Sequence, residues 1–265
     1  MRRWISWGQV VLASAVALAA PVAVAQGAAD LHFCAEDENS YPWLLRDGTG
    51  LNVLMVKSIG QRVGRVIHIE LQPWRRCLQS LQENRVDGAF KASFKPERLK
   101  IGAYPMRAGL PDTSRAMLDE SYHLYKLKSS PVGWDGLEVT RLNGAVGAQA
   151  GFSVVDVLKR LGVPTESSVK APDGILAMLQ RGRLGAAALQ TSQGDFELGR
   201  KPALAAAIER VGPPLVSQPY YLMLSHALVE RDTALAERIW DAVAAVRESP
   251  EYRAALQAAR GASAP

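Results

Sequence analysis

The stretch at residues 86–98, VDGAFKASFKPER, carries the interpretation of this chain. It begins as a short apolar segment typical of a buried strand and continues into a polar loop that ends at Arg98. An arginine held at the end of a strand is well placed to bind a carboxylate, because its planar guanidinium can donate two parallel hydrogen bonds to the two carboxylate oxygens. The alternative is a surface arginine paired with Glu97 or another acid.

The sequence on either side of this stretch alternates between strand and helix patterns. In chain order we predict a strand at 31–35, a helix at 51–63, a strand at 65–71, a helix after Pro73 and a strand at 86–90. A second series follows, with a strand at 145–149, a helix after 151–153, a strand at 167–170, a helix from Asp173 and a strand at 183–190. Such alternation is typical of parallel sheets covered by helices, so two series predict two α/β lobes.

Two extended apolar segments, at 121–127 and 218–225, are predicted to cross between the lobes. Amphipathic helices at 235–246 and 250–259 follow, and we expect them to pack back on the first lobe. The predicted bounds are 26–121 with 222–265 for a discontinuous first lobe, 122–221 for the second, and crossings near 119–124 and 218–223. Ligands of open α/β sheets bind at the carboxyl ends of the strands, so the expected site is a cleft between the lobes that closes about these hinges.

Residues 1–25 are predicted to be a cleavable signal peptide. Arg2 and Arg3 precede an apolar run of small residues, and Ala23-Val24-Ala25 fits a cleavage site. The alternative is a membrane anchor, but the run is shorter than the roughly 20 apolar residues that a span requires. We therefore expect an exported protein.

Composition and motifs exclude several classes of function. Lys and Arg outnumber Asp and Glu by 31 to 26, but the basic residues are scattered and not interleaved with aromatic residues, so nucleic-acid binding has little support. The four histidines lack metal-ligand spacing, and no nucleotide-binding or hydrolase motif occurs. We expect no cofactor and no metal.

The chain has two cysteines, Cys34 and Cys77. In an exported protein an even pair indicates a disulfide bond. The alternative is two buried free thiols.

Several strings along the chain resemble periplasmic solute-binding proteins of family 3, the amino-acid-binding type. They are CAEDENSYPW at 34–43, LQPWRRCLQSLQENRVDGAF at 71–90, SFKPER at 93–98, VGAQAGFS at 146–153 and SQPYYLMLS at 217–225. The resemblance implies a type II periplasmic-binding fold of two closing lobes. It further implies a monomeric periplasmic protein that is not an enzyme and that delivers a small solute to the membrane subunits of an ABC transporter.

The resemblance also assigns roles to individual residues. In the family the arginine of the corresponding loop holds the ligand's carboxylate, which gives that role to Arg98. Ser93 occupies a position where the family often has a hydroxyl side chain that contacts the same carboxylate. Trp74 falls on an aromatic residue that stacks against the ligand, although core packing beside a proline is the alternative. Tyr41 and Trp43 fall in a loop that supplies a further aromatic wall.

The segment Gly151-Phe152-Ser153 opens the first helix of the second lobe, where free backbone N–H groups favour an anion. In the family this loop also meets the ligand's carboxylate. The alternative for Ser153 is an ordinary helix N-cap after a glycine turn.

Two positions depart from the family pattern. Lys95 stands where many amino-acid binders have threonine, and Gln190 stands where they have an aspartate that neutralises the ligand's ammonium group. Glu36 or Asp37 are candidates to replace that aspartate, the alternative being two solvated surface acids. The hypothesis that follows is a small organic anion held by Arg98 and Lys95, with an amino-acid-like solute as the alternative.

Two other functions stay open. A solute sensor without a transport role would use the same cleft. A periplasmic dehydratase on a similar scaffold would use Glu36 or Asp37 as a general acid or base.

Overall fold

The structure is a computed structural model that describes Met1 and residues 29–262. Apart from Met1, the predicted signal peptide at residues 1–25 lies outside the described residues. The fold is mixed α/β, with a curled sheet at its centre. None of the helices within residues 29–262 has the length and apolar character needed to cross a membrane.

The chain begins with the predicted β-α-β-α-β series, and we call the half of the molecule built on it the first lobe. The elements are β1 (Leu31–Ala35), α1 (Leu51–Val63), β2 (Ile67–Leu71), α2 (Trp74–Gln82) and β3 (Gly88–Ser93). β1 lies between β2 and β3 and pairs with both in parallel. α1 buries one apolar face and ends at Gly64, whose left-handed φ of +67° closes the helix.

A connecting region leads out of the first lobe. It contains a 3₁₀-helix (Pro96–Lys100), the hairpin β4 (Met106–Arg107) and β5 (Leu110–Pro111), a second 3₁₀-helix (Thr113–Arg115), the long strand β6 (Leu118–Leu127) and the hairpin β7 (Gly133–Trp134) and β8 (Val139–Thr140). The first of these helices carries Arg98 directly after β3.

The second series of strands and helices forms what we call the second lobe. Its elements are β9 (Val146–Gly147), α3 (Val154–Arg160), β10 (Thr165–Glu166), α4 (Pro172–Gln180), β11 (Ala186–Gln190), α5 (Thr191–Arg200) and α6 (Pro202–Ala207). β9 pairs in parallel with both β10 and β11. The strand predicted at 167–170 is wrong: the strand is β10, which ends at Glu166. The Ser168 backbone N–H donates to the Glu166 side chain at 2.7 Å and not to a neighbouring strand.

The chain returns through β12 (Ile208–Leu224), followed by α7 (His226–Arg231), α8 (Thr233–Arg247) and α9 (Pro250–Ala262). β12 pairs antiparallel with β6 and then with β3, and β6 pairs antiparallel with β11. The result is one eight-stranded sheet in the order β10-β9-β11-β6-β12-β3-β1-β2, not two separate sheets. The two strands that cross between the lobes are therefore hydrogen-bonded to each other.

The C-terminal helices and the disulfide bond strengthen the first lobe. α8 and α9 pack against α1. Cys34 at the end of β1 and Cys77 in α2 form a disulfide bond, with both residues fully buried. The bond joins the strand that leads to Glu36 with the helix that begins at Trp74, so it ties together two segments that lie beside the cleft.

Candidate functional site

Arg98 lies buried between the two lobes, with 4% of its surface exposed. Its Nη1 donates hydrogen bonds to the carbonyl oxygen and Oγ of Ser93 at 2.7 and 3.0 Å. Its Nη2 donates to the carbonyl oxygen of Gly151 at 2.9 Å. The guanidinium carbon lies 5.5 Å from the centre of the Trp74 ring. Because Ser93 and Trp74 belong to the first lobe and Gly151 to the second, Arg98 joins the two.

The loop that faces Arg98 from the second lobe has an unusual backbone. Gly151 has φ +82°, and a Cβ there would lie 3.1 Å from Cγ of Arg75, so glycine suits this turn. Ser153 precedes α3, but its side chain makes no capping hydrogen bond. Its Oγ instead accepts a hydrogen bond from Nε2 of Gln218 at 2.7 Å. Ser153 is therefore not an ordinary N-cap.

A second buried cation, Lys91, lies in the middle of β3. Its Nζ donates to Oε1 of Glu36 at 2.8 Å, to Oγ of Ser40 at 2.8 Å and to Oε1 of Gln190 at 2.5 Å. The side chains of Lys91 and Glu36 are only 1% and 6% exposed. Since Gln190 ends β11 in the second lobe, this network is a further connection between the lobes.

Gln190 and its neighbours complete the network. Nε2 of Gln190 donates to the hydroxyl groups of Tyr220 at 3.1 Å and Tyr122 at 3.4 Å. Nε2 of Gln193 donates to Oε2 of Glu36 at 3.2 Å. Burial raises the pKa of Tyr122 well above its usual value, and the nearby Tyr220 adds to this, so the Tyr122 phenol acts as a neutral hydrogen-bonding group.

Two adjacent cavities lie between the lobes. The central cavity has a free volume of about 10 Å³, room for about one water molecule. It is lined by Glu36, Trp74, Lys91, Ser93, Arg98, Tyr122, Phe152, Ser153, Gln190 and Tyr220. The outer cavity measures about 190 Å³. It shares Glu36, Trp74 and Phe152 with the central cavity and is also lined by Asp37, Glu38, Pro73, Arg75, Gln149, Ala150, Ser167, Ser168 and Lys170.

Most residues singled out from the sequence lie at these cavities. The central cavity collects Ser93, Trp74, Arg98, Phe152, Ser153 and Gln190. Asp37 lines the outer cavity, and Gly151 supplies the carbonyl that meets Arg98. Residues that are distant in the sequence therefore converge on one place.

Lys95 lies elsewhere, although it is close to Arg98 in the sequence. Its Nζ forms a salt bridge with Asp156 in α3. It lines a separate cleft of about 220 Å³ together with Ser153 and Gln218. The chain is extended at Lys95 and turns into a 3₁₀-helix at Pro96, so the side chains of Lys95 and Arg98 reach different cavities.

Tyr41 and Trp43 also lie outside both cavities. The Tyr41 ring stacks on Phe196 in α5, with the ring centres 6.0 Å apart, and its hydroxyl donates to the carbonyl oxygen of Ala259 at 2.9 Å. Trp43 is partly buried against the core of the first lobe. Tyr41 therefore forms a contact between the lobes away from Arg98.

Burial alters two carboxyl groups near the site. It raises the pKa of Glu38 in the outer cavity to about 7; Arg46 opposes this, while Asp37 and Glu36 add to it. Burial also raises the pKa of Glu120 in β6, opposed chiefly by the charge of Lys91. The outer cavity therefore carries less negative charge at neutral pH than its three consecutive acids indicate.

Sequence reasoning missed Lys91, Tyr122 and Tyr220. One signal was available for Lys91: it is the single charged residue in the strand GAFKAS, all six residues of which are buried. The tyrosines were seen only as apolar residues of crossing strands. Their hydroxyl groups meet Gln190 through the pairing of β6 and β12, which local patterns do not reveal.

Within residues 29–262, no group of three or more His, Cys, Asp or Glu side chains is placed to hold a metal ion. Lys91 and Glu36 form a buried ion pair, and Arg98 donates hydrogen bonds to Ser93 and to the Gly151 carbonyl. The arrangement suits noncovalent binding of a small polar molecule, with two buried cations and aromatic walls.

Comparison with known proteins supports the fold. No family model matches the sequence, and no curated protein matches it. Among solved structures, the arginine-, lysine-, histidine-binding protein ArtJ from Geobacillus stearothermophilus is similar, with a TM-score of 0.71 and 14% identity over 88% of this chain and 96% of that chain.

Two further solved structures are similar. The GluR0 ligand-binding core from Nostoc punctiforme in complex with L-glutamate has a TM-score of 0.68 and 14% identity, covering 86% of this chain and 98% of that chain. A histidine kinase sensor domain with similarity to periplasmic binding proteins has a TM-score of 0.69 and 18% identity, covering 86% of this chain and 95% of that chain. At these identities the similarity establishes the two-lobed periplasmic-binding-protein fold.

Proposed function

We propose that this chain is a periplasmic solute-binding protein that captures a small carboxylate-bearing solute between its lobes and delivers it to the membrane subunits of an ABC transporter. In this proposal residues 1–25 direct export, and the mature protein acts as a monomer without chemical conversion of the solute. The lobes comprise 26–121 with 222–265 and 122–221. The observation that carries the proposal is the position of Arg98, buried between the lobes and held by both.

Arg98 supplies the attraction for the solute's carboxylate. A guanidinium has five N–H groups, more than the three hydrogen bonds to Ser93 and Gly151 use. Trp74 and Phe152 exclude water beside it, which strengthens a charge-assisted hydrogen bond. The outer cavity of about 190 Å³ then receives the rest of the solute.

Binding requires movement of the lobes. The central cavity holds about 10 Å³, so a carboxylate reaches Arg98 only when the Gly151 loop moves away from it. The carboxylate oxygens then replace the Gly151 carbonyl as acceptors. The crossing strands β6 and β12 are the hinge in this proposal, and their register shifts between Val211 and Val216. A solute that contacts both lobes favours the closed form by its differential affinity.

The similar structures support a small solute, since ArtJ is an arginine-, lysine-, histidine-binding protein and the GluR0 core is in complex with L-glutamate. The similarity to a histidine kinase sensor domain favours a second candidate, a solute sensor that feeds no transporter. Gene context separates the two: neighbouring permease and ATPase genes favour transport, whereas a neighbouring kinase gene favours sensing.

The test begins with a thermal-shift screen of amino acids and organic acids against residues 26–265, because a solute that binds only the native form raises the unfolding midpoint. Hits are then titrated by calorimetry into the wild type and Arg98→Lys. The variant keeps the charge but loses the planar fork, so we expect affinity to fall about 10–100-fold.

Arg85→Lys is the matched control, since Arg85 is 58% exposed and pairs with Glu83. We expect this variant to bind like the wild type. Circular dichroism and melting temperature establish that both variants fold. If folded Arg98→Lys binds the hits with wild-type affinity, the carboxylate is not held by Arg98 and the proposal fails.

A further inference from the structure

The hydrogen bonds of Lys91 bear on which solutes the central cavity accepts. An ammonium group has three N–H donors, and in Lys91 they meet Glu36, Ser40 and Gln190 at 2.5 to 2.8 Å. With all donors satisfied and the side chain 1% exposed, Lys91 is a fixed internal cation.

The acceptors that Lys91 uses are those that a cationic group of a solute would need. Glu36 is the single acidic side chain at the central cavity among the described residues. Its Oε1 accepts from Lys91 and its Oε2 from Gln193, and the Oε1 of Gln190 also accepts from Lys91. Glu120 lies nearby, but its oxygens accept from Ser121 and Ser192.

We infer that the solute's carboxylate end carries no ammonium group, so the ligand class is carboxylates without an α-amino group. This inference rests on the proposed binding of a carboxylate at Arg98. A solute ammonium placed beside that carboxylate meets two buried cations, Lys91 and Arg98, and one carboxylate that is already paired. Burying an unpaired charge is costly, so the cavity discriminates against it.

The backbone at Lys91 supports a specific role for its side chain. Lys91 has φ +59°, within a region that non-glycine residues enter rarely and at a cost. Glycine adopts that conformation freely. Lys91→Gly therefore fits the local backbone while it removes the internal cation and frees Glu36 and Gln190 to accept from a solute.

The test uses four pairs of probes that differ by one α-amino group: propanoate and alanine, succinate and aspartate, glutarate and glutamate, and 5-guanidinopentanoate and arginine. Calorimetry measures both members of each pair against the wild type and Lys91→Gly. We expect the wild type to bind the amine-free member at least about 10-fold more tightly in any pair that binds. We expect the preference to shift toward the amino acid by a similar factor in Lys91→Gly.

Lys91→Met is the second variant should the glycine variant not fold, since it keeps the aliphatic stem and leaves Glu36 free. Lys57→Gln is the control, because it removes an exposed positive charge on α1 outside both cavities. Equal or tighter binding of the amino acid by the wild type overturns the inference and leaves the proposed function standing. An unchanged preference in a folded Lys91 variant also overturns it, whereas no binding of either member in any pair refutes the proposed function itself.

Discussion

The disulfide bond between Cys34 and Cys77 has a stabilising effect that can be worked out from its place in the chain. The two residues are separated by 43 positions. For a closed loop of that length, the chain-entropy relation gives about 4 kcal/mol of stabilisation, through restriction of the unfolded state. For a chain of this size the same free energy corresponds to a fall in melting temperature of about 8–10 °C when the bond is absent.

The assay is urea denaturation of three forms of residues 26–265: the oxidised wild type, the wild type reduced with dithiothreitol, and Cys34→Ala/Cys77→Ala. Reduction removes the bond but keeps both buried sulfur atoms, so it isolates the effect of the cross-link. The double variant also loses packing of two side chains that are 0% exposed. We expect it to be less stable than the reduced protein by about 1–2 kcal/mol.

The bond also joins two walls of the outer cavity, since Asp37 follows β1 and Trp74 begins α2. We therefore expect reduction to weaken solute binding as well as folding. The reasoning is refuted if the oxidised and reduced proteins unfold at the same urea concentration with the same slope. It is also refuted if the oxidised, denatured protein contains two titratable thiols.

Two further predictions concern single residues. Burial raises the pKa of Glu38 from 4.5 to about 7, so the contribution of this side chain to stability is full below pH 4.5 and is lost as the pH rises through 7. Glu38→Gln should therefore be more stable than the wild type by up to about 3 kcal/mol at pH 8 and equally stable near pH 4.5. Urea denaturation of both proteins over this pH range measures the difference in stability, and a difference that does not change with pH would contradict the prediction. A Cβ at Gly194 would lie 2.4 Å from Cζ of Tyr125, so Gly194→Ala should destabilise by about 1–3 kcal/mol. Gly199 in the same helix has open space, so Gly199→Ala should stabilise by up to about 1 kcal/mol, and equal effects at both sites would show that α5 does not pack on β6 as described.

The alternation of strands and helices was predictable because it depends on local periodicity. In the first series the predicted bounds of β1 and α1 are confirmed and those of β2 and β3 differ by two or three residues, since α1 repeats its apolar residues at helical spacing and β2 alternates. The second series was less accurate. β10 ends at Glu166, whose side chain accepts a hydrogen bond from the Ser168 backbone N–H, and no apolar pattern indicates such a bond.

The pairing of distant strands was not predictable from local patterns. β6 and β12 were expected as two crossing segments, but their antiparallel pairing, with a register shift between Val211 and Val216, also merges the two sheets into one. That pairing brings Tyr122 and Tyr220 to Gln190. The part of the central cavity that these tyrosines line therefore depends on contacts between residues nearly 100 positions apart.

The position of Arg98 beside the cleft was predictable, because Arg98 follows the carboxyl end of the buried strand β3, whereas its role in binding stays a prediction. The role of the nearby lysines was not predictable. Lys95 was expected beside Arg98 on the strength of its sequence position, but it pairs with Asp156. Lys91 is buried and has a positive φ, a backbone conformation that the sequence of a non-glycine residue does not indicate.

The central claim is that a solute carboxylate is held by Arg98 between the two lobes. The most direct measurement is a crystal structure of residues 26–265 with a bound hit from the screen. The account predicts carboxylate oxygens within about 3.2 Å of the Arg98 guanidinium, with Trp74 and Phe152 on either side of the solute. A solute bound elsewhere, or a complex in which Arg98 keeps its hydrogen bond to Gly151 and contacts no solute atom, would contradict it.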